Sequence, residues 1–533
     1  MKPQVGVVAL LSGLSALGIH ASPVVVQDGT TTLLERRFVN ATIASACKGL
    51  TNSTSVYGAL SIDYIQDTSH YMSSSCKSWI PQGQSSSHVL ILHPPAAQPP
   101  TCLVKPRSAE EVSNIIKIVG ARRIPFAIST AGHASNPGFS STKGVHMTLN
   151  GLTLDGTNSM LLNADKSELT YTPGHVWDDL YQFMLDNAPG RMIVGGRVSG
   201  VGVGGFVVAG GGYSWLSNQY GLTIDTVKSM QVVLPSGQIV TASDSENSDL
   251  FFGVRGAGNE FGVVTSITVK TFPSGPNVYG GIALYDGLNL KGLAQATTNF
   301  SRTNRDPKAS VLPTFNAVAG LPGAVLIEFY DGEKPPVGTF SAFEESKSKP
   351  LSKDFKTRSW LSLVKASPAD ATAGQRGAFH TISVIDYSPA IMDAILQQVK
   401  YYASISLLHS ATFVSYDVEP FVPSYFDYSN GGAYPHTSAR PLLPLNIYVA
   451  WTNPLEDKFW RNEMKKSAEL LLDIARKEGQ AVDPQIRYPN YALADTPLVE
   501  LYGEENLARL RQIKRKFDPS RVMDLAGGFK IPF

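Results

Sequence analysis

The sequence predicts an α+β fold in two main parts, and three observations lead there. At 533 residues the chain exceeds what one simple core accommodates. Between residues 101 and 270, short strand signals outnumber helices. From about 276 to 483, longer amphipathic helices alternate with strands, a pattern that predicts an antiparallel sheet covered by helices. The composition, 43% hydrophobic and 17% charged with 47 Gly and 34 Pro, fits a loop-rich globular protein rather than a disordered or fibrous one.

Taken in order, the chain begins with Lys2 and a largely apolar stretch at 5–17, and Ala21 closes a segment that a signal peptidase would accept. This predicts a secretory signal peptide over 1–21, too short for a membrane span, and no later run is apolar for long enough to be one. Residues 22–98, rich in Ser, Thr and Pro, read as an N-terminal extension. A strand is predicted at 101–105. Ser108 then caps a helix with Glu111 three residues on, and Val112, Ile115, Ile116 and Val119 recur at helical spacing. Strands follow at 124–129 and 145–149. Val232-Val233-Leu234 and Ile239-Val240 flank Pro235-Ser236-Gly237, a hairpin signal, and a β-branched run at 262–270 closes this block at about 275. The second part, 276–483, carries helices near 291–300, 389–403 and 457–477 and strands at 324–330, 411–415 and 445–451. A final segment, 484–533, adds a helix at 506–516, stopped by Asp518-Pro519.

A secretory route makes the cysteines disulfide partners. Cys47, Cys76 and Cys102 allow one bridge and one odd thiol. Cys47–Cys102 is the favoured pairing and Cys47–Cys76 the alternative. Asn40, Asn52 and Asn299 open Asn-x-Ser/Thr sequons, the expected glycosylation sites of a protein secreted or held in a secretory compartment. With 45 Lys and Arg against 44 Asp and Glu, the net charge is +1 and no basic run stands out, which argues against nucleic acid as a partner. His88 and His93 have no companion ligands and no Cys-x-x-Cys occurs, so no metal site is predicted. No Gly-x-Ser-x-Gly elbow supports a hydrolase.

The sharpest local signal is the glycine-rich segment 195–212, with Gly195-Gly196, Gly202, Gly204-Gly205 and Gly210-Gly211-Gly212. Such a run omits side chains so that backbone N–H groups can approach a ligand closely, most often a phosphate. Gly200 to Gly205 satisfies G-x-G-x-x-G, and Asp225 lies where the nicotinamide-dinucleotide fingerprint expects an acid. The context differs, because Phe206-Val207-Val208-Ala209 leads straight into three glycines, which would break the helix that fingerprint requires. The segment reads as a pyrophosphate cradle of another fold, with a nucleotide-hinge fold and a ligand-free turn region as alternatives.

Several segments carry a resemblance in the right order. They are 124–133, ending Ser129-Thr130-Ala131-Gly132-His133; the glycine-rich segment leading to Tyr220-Gly221-Leu222; and Asp249-Leu250-Phe251 through Arg255-Gly256-Ala257-Gly258-Asn259 to Gly262-Val263. The tail adds Tyr488-Pro489-Asn490-Tyr491, Lys516-Phe517-Asp518-Pro519 and Gly527-Gly528-Phe529. From about Cys102 to the end, the chain resembles the berberine-bridge-enzyme-like branch of the vanillyl-alcohol-oxidase flavoproteins, in the version abundant in filamentous fungi. The resemblance implies a two-part FAD-binding domain of the PCMH type over 99–275, a substrate-binding domain over 276–483, and a C-terminal segment that returns to the FAD domain. By the same resemblance, His133 bonds covalently to the flavin, and Ser129, Thr130, Ala131, Gly132, Val201, Gly202, Gly204 and Gly205 surround the pyrophosphate. Gly262 and Val263 line the adenine side, and Asn490 approaches the flavin ring.

The sequence also departs from the family. Val198 replaces the cysteine that gives many relatives a second flavin bond, so one bond is expected. Val201 is the oxygen-permissive choice at its position, and Phe206 replaces a histidine of plant relatives. Asn446, in Asn446-Ile447-Tyr448-Val449-Ala450-Trp451, replaces the glutamate base of the alkaloid-cyclising members. Alcohol-oxidising relatives use a tyrosine at the position of Tyr491, which makes Tyr491 the expected base, with its pKa lowered from about 10 by a nearby cation. Tyr220 and Asn446 are the expected substrate-orienting residues. These implications describe an oxidase that passes electrons from an alcohol or related C–H centre of a small molecule to FAD and then to O2. The favoured substrate is a specialised metabolite; an oligosaccharide oxidase and a flavin-binding protein without turnover are the alternatives.

Overall fold

The computed structural model describes residues 33–59, 61–68, 71, 98–367 and 372–533. The signal peptide expected at 1–21, most of the extension, Cys76, His88, His93 and the Asn40 side chain lie outside them. Among the described residues, no helix is long and apolar enough to cross a membrane.

Helix α1 (Leu33–Leu50) buries Ile43, Ala46, Cys47 and Leu50, and Cys47 is joined to Cys102 by a disulfide. With the short helix α2 (Ile62–Asp67) between its first two strands, a four-stranded sheet forms from β1 (Ser55–Tyr57), β2 (Cys102–Lys105), β3 (Phe126–Ser129) and β4 (Val145–Thr148), in the order β1-β2-β4-β3. The β2–β4 and β3–β4 pairs are parallel. Parallel strands need a crossover, and α3 (Ala109–Ala121) supplies the one between β2 and β3. Ser108 Oγ accepts from the Glu111 N–H at its start, and Val112, Ile115, Ile116 and Val119 pack with Val104, Phe126 and Val145.

The next strands are β5 (Met160–Leu162), β6 (Glu168–Tyr171), β7 (Arg191–Met192), β8 (Val227–Val233), β9 (Ile239–Ser243) and β10 (Val263–Lys270). All but β7 form an antiparallel sheet in the order β5-β6-β10-β8-β9, while β7 pairs with β11 (Phe272–Pro273). Helix α4 (Trp177–Asn187) buries Trp177, Leu180, Tyr181 and Met184 in the adjoining core.

A seven-stranded antiparallel sheet follows, from β12 (Asn277–Asp286), β13 (Ala309–Val318), β14 (Leu321–Tyr330), β15 (Ser352–Ser359), β16 (Arg376–Val384), β17 (Ala411–Val418) and β18 (Leu443–Trp451). Its order is β15-β12-β14-β13-β17-β18-β16. Side chains alternate across such a sheet. Val414 and Tyr416 of β17 and Ile447 and Val449 of β18 point to one face, where they meet Tyr402 of α5 (Pro389–Ser406) and Trp460, Met464 and Ser467 of α6 (Asp457–Lys477). Register places Phe379, Thr381, Ser415, Asp417, Asn446 and Tyr448 together on the other face. One face is a helix-covered core and the other carries the polar groups.

The C-terminal helix α7 (Leu498–Phe517) returns the chain to the first part of the molecule, with a break in helical geometry at Gly503. The Lys514 ammonium, fully buried, donates to Glu260 Oε2 at 3.1 Å and pairs with Asp518 Oδ2 at 3.2 Å. Asp518 in turn accepts the N–H groups of Val522 and Met523, and Glu260 accepts the N–H of Ile531. Every buried charge in this cluster therefore has a counter-charge or a donor, as burial requires.

Candidate functional site

The chain leaving β3 builds the first element of the site. The Ser129 hydroxyl is hydrogen-bonded to His146 Nε2 at 2.7 Å, which anchors the strand end. Gly132 follows in the left-handed region at φ 65°, where a side chain would be strained. The backbone N–H groups of Ala131, Gly132, His133 and Ala134 find no protein acceptor among the described residues. Successive free donors around a left-handed glycine form a concavity suited to an anion. His133 is half-buried, its ring stacked on that of Tyr71 with centroids 4.3 Å apart. Burial pushes its pKa down to about 4, so the imidazole is neutral and keeps a free nitrogen lone pair near pH 7.

The glycine-rich segment lies against this loop. A methyl group on Gly202 would come within 2.6 Å of Thr130 Oγ1 and 3.0 Å of the Ala131 nitrogen; one on Gly204 would meet Thr130 Cγ2 at 2.7 Å. Gly195 and Gly196 allow the Trp177 ring equally close, whereas Gly205 faces open space. Val201 is half-buried here, and its carbonyl accepts from the Trp177 N–H. The expectation that Gly210-Gly211-Gly212 break a helix holds, but a short helix precedes them. Val203–Gly205 is one helical turn, it continues as a π-helical turn over Phe206–Gly210, and it ends at Gly211 with φ 98°. The glycines are tolerated because tertiary neighbours occupy the space their side chains would fill: a methyl on Gly210 would meet Asn490 Cγ at 2.7 Å. Asn490 Nδ2 donates to the Phe206 carbonyl and to Tyr488 Oη, both at 3.0 Å, and Gly212 N–H donates to the same hydroxyl. A nucleotide-hinge arrangement is absent, since the strand preceding this turn, β7, belongs to a two-stranded antiparallel pair.

Gly262 and Val263 open β10. A methyl on Gly262 would strike the Val233 carbonyl at 2.4 Å, and Val263 is buried with Ile116 and Val145 in the core beneath the four-stranded sheet.

The polar face of the seven-stranded sheet supplies the second element. Asn446 and Asp417 are cross-strand partners, with Asn446 Nδ2 donating to Asp417 Oδ2 at 2.8 Å. Burial raises the Asp417 pKa, opposed by hydrogen bonds from Ser415 and Asn446. Asn446 Oδ1 is buried and has no partner among the described residues. Two residues beyond Asp417 stands Glu419, 1% exposed, which accepts from Arg197 Nη2 at 2.6 Å, with the Tyr491 hydroxyl beside the ion pair. The same Arg197 nitrogen lies 3.5 Å from Tyr491 Oη. The Tyr491 ring packs near Phe379, which stacks on Tyr448.

One sequence expectation changes here. The cation expected beside Tyr491 is present as Arg197, but burial and the Glu419 carboxylate outweigh it, and the phenol's pKa is held well above 10. Tyr220 stands apart from this cluster: its ring stacks on Phe272 at 3.9 Å, with Asp331 and Tyr428 nearby. Arg197, Asp417, Glu419, Tyr488 and Tyr71 were not singled out in the sequence. For Arg197 the available signal was its place directly after Gly195-Gly196, and for Asp417 and Glu419 it was their i, i+2 spacing in a strand.

The donor-rich loop, the adjoining glycine turn and a neutral imidazole fit FAD, whose pyrophosphate needs anion-binding N–H groups and whose ring can be tethered by a nucleophilic nitrogen. Comparisons with known proteins agree with this fit. Residues 100–243 match the family described as FAD binding domain, and residues 487–526 match the one described as berberine and berberine like. An FAD-dependent monooxygenase of Arthrobotrys oligospora is 30% identical over 441 residues, covering 80% of this chain and 81% of the relative. The bifunctional solanapyrone synthase of Alternaria solani is 28% identical, covering 84% and 85%. Among solved structures, the glucooligosaccharide oxidase of Acremonium strictum superposes with a TM-score of 0.70 at 18% identity, covering 92% of this chain and 98% of that one. At that identity the likeness is one of fold.

Proposed function

We propose, from the premise that this chain belongs to the berberine-bridge-enzyme-like family of FAD-dependent oxidoreductases, that it is a secreted oxidase of a small specialised metabolite, with FAD tethered through His133. When bound, FAD would supply a two-electron acceptor for hydride from a substrate carbon, with O2 as the final acceptor giving hydrogen peroxide. The remaining steps fall to the protein's own side chains.

The observation that carries the reading is the Tyr491 hydroxyl beside the buried Arg197–Glu419 ion pair. A phenol whose pKa lies well above 10 does not act as a free phenolate near pH 7. It can still receive the substrate's hydroxyl proton if its own proton passes to Glu419 in the same step. Burial raises the Glu419 pKa and makes that carboxylate the better acceptor, while Arg197 keeps the pair close to neutral overall. Asn446 Oδ1 then offers an acceptor to a substrate O–H or N–H, its amide fixed by Asp417. The rings of Phe379, Phe413 and Tyr448 form an apolar wall beside these groups, suited to a flat or cyclic substrate.

The reading favours a specialised metabolite because relatives such as the solanapyrone synthase align over most of both chains. The second reading, an oligosaccharide, rests on the same aromatic wall, which would also carry the face of a pyranose. The test is a peroxide-release screen of both substrate classes, combined with anaerobic mixing of substrate and enzyme. Bleaching of the flavin by an alcohol-bearing polyketide or alkaloid supports the first reading; bleaching only by sugars selects the second. A flavin that no substrate bleaches in wild type, or that Tyr491→Phe bleaches equally fast, sinks the proposed proton route.

A further inference from the structure

Tyr71 touches both halves of the site. Its N–H donates to the Gly132 carbonyl at 3.0 Å, and its own carbonyl accepts from the Gly374 N–H at 3.1 Å. Its ring lies on the His133 imidazole, 21° from parallel. Its hydroxyl is hydrogen-bonded to Thr372 Oγ1 at 2.9 Å, and Thr372 is hydrogen-bonded in turn to Tyr448 Oη. Tyr448 belongs to the aromatic wall that reaches Tyr491 through Phe379. One side chain thus leans on the histidine at one end and the substrate wall at the other.

An imidazole on a glycine-containing loop has two free side-chain torsions, and only a narrow range of its ring planes can bring a nitrogen to a given carbon. Stacking removes most of that freedom. We propose that Tyr71 is the positioning residue for covalent flavin attachment: its ring, on a backbone tied to Gly132 and Gly374, fixes the plane of the His133 imidazole. This inference rests on His133 being the attachment point. Attachment replaces one imidazole N–H bond and one C–H bond of a flavin methyl group with a single N–C bond. The two hydrogens leave as two protons and two electrons, and O2 takes them up as hydrogen peroxide.

The test uses full-length protein made under flavin limitation and then given FAD. At intervals the protein is precipitated with acid and the yellow retained in the pellet is measured. Wild type, Tyr71→Ala, Tyr71→Phe and His133→Ala are compared, with total FAD binding and Tm recorded for each. Tyr71→Ala is expected to bind FAD and melt like wild type, yet attach it at least about tenfold more slowly. Tyr71→Phe, which keeps the ring, is expected to attach FAD at a near-normal rate. Should Tyr71→Ala fail to fold, Tyr71→Leu carries the same expectation, because it keeps apolar bulk and loses the flat face. Attachment by Tyr71→Ala or Tyr71→Leu at the wild-type rate overturns the proposal, as does a Tyr71→Phe as slow as Tyr71→Ala. Colour that washes free from wild type itself overturns the His133 reading and this inference with it, a result distinct from a covalent wild type matched by its Tyr71 variants.

Discussion

Asp417 and Asn446 face each other on neighbouring strands, and the asparagine amide donates to the aspartate carboxylate at 2.8 Å. Where the alkaloid-cyclising relatives carry a glutamate, this chain has an amide with a carboxylate beside it. The pairing also settles the amide's orientation. A carboxylate accepts only from the NH2 end, which leaves Asn446 Oδ1 turned away from Asp417 with no protein partner among the described residues. The site therefore presents an acceptor, and the substrate is expected to bring the donor.

Asn446→Asp is expected to set two carboxylates in contact and force one to hold a proton. The shared proton is lost as pH rises, so the substrate KM is expected to become pH-dependent. Steady-state peroxide assays from pH 5 to 9 check this; a KM that ignores pH contradicts it.

Tyr491→Phe is expected to slow flavin reduction by about 10²–10⁴-fold with little change in Tm. Glu419→Gln should be costlier to the fold, because it leaves Arg197 buried without its counter-charge, a loss of about 3–5 kcal/mol. In wild type the rate should fall as pH drops through the raised Glu419 pKa, since a protonated carboxyl cannot take the tyrosine's proton. Anaerobic stopped-flow reduction and thermal melts separate the two effects.

Gly204→Ala and Gly205→Ala give a paired test of the cradle. The first places a methyl 2.7 Å from Thr130 Cγ2 and 3.0 Å from Pro173 Cβ; the second meets nothing. Gly204→Ala is expected to cost about 1–3 kcal/mol and to lower FAD content, whereas Gly205→Ala should keep the wild-type Tm. FAD content by absorbance and melting curves decide it.

What the sequence made legible was local. The Ser108 cap and the hairpin around Gly237 each depend on residues a few positions apart, so their spacing reveals them, while the Gly132-His133 turn is legible through the family resemblance. The proton route does not, because Arg197 meets Tyr491 across 294 positions and Glu419 across 222. Asp417 became visible only once strand order put it opposite Asn446. The helical turn after Gly202 was not legible because glycine's cost is counted for an isolated helix, and here Asn490 and Tyr488 pack into the space the missing side chains leave. Tyr220 adjoins a motif in sequence, and its ring stacks on Phe272.

Glu328, in β14, is 3% exposed, and burial raises its pKa to about 8, opposed by Lys353 and reinforced by Glu344; Tyr279 and Tyr285 also face it. The folded state therefore holds a proton that the unfolded chain has released above its ordinary value of 4.5. Stability from this group is complete below about 4.5 and is lost as pH rises through about 8. Glu328→Gln is expected to flatten that slope and to gain on the order of 1 kcal/mol at pH 8. Denaturant melts of both proteins at pH 5 and pH 8 measure it; parallel slopes contradict it.

The clasp of Lys514 and Asp518 on Glu260, together with Tyr488 and Asn490 against the glycine turn, has a consequence for how the enzyme is made. Translation delivers the Gly132-His133 loop and the glycine run well before Tyr488 and Asn490, the side chains that pack against the glycine turn. A chain ending before Tyr488 lacks those contacts, and its hold on cofactor is expected to be weaker. A truncation that spares every residue of the His133 loop but removes the tail is expected to weaken cofactor retention all the same.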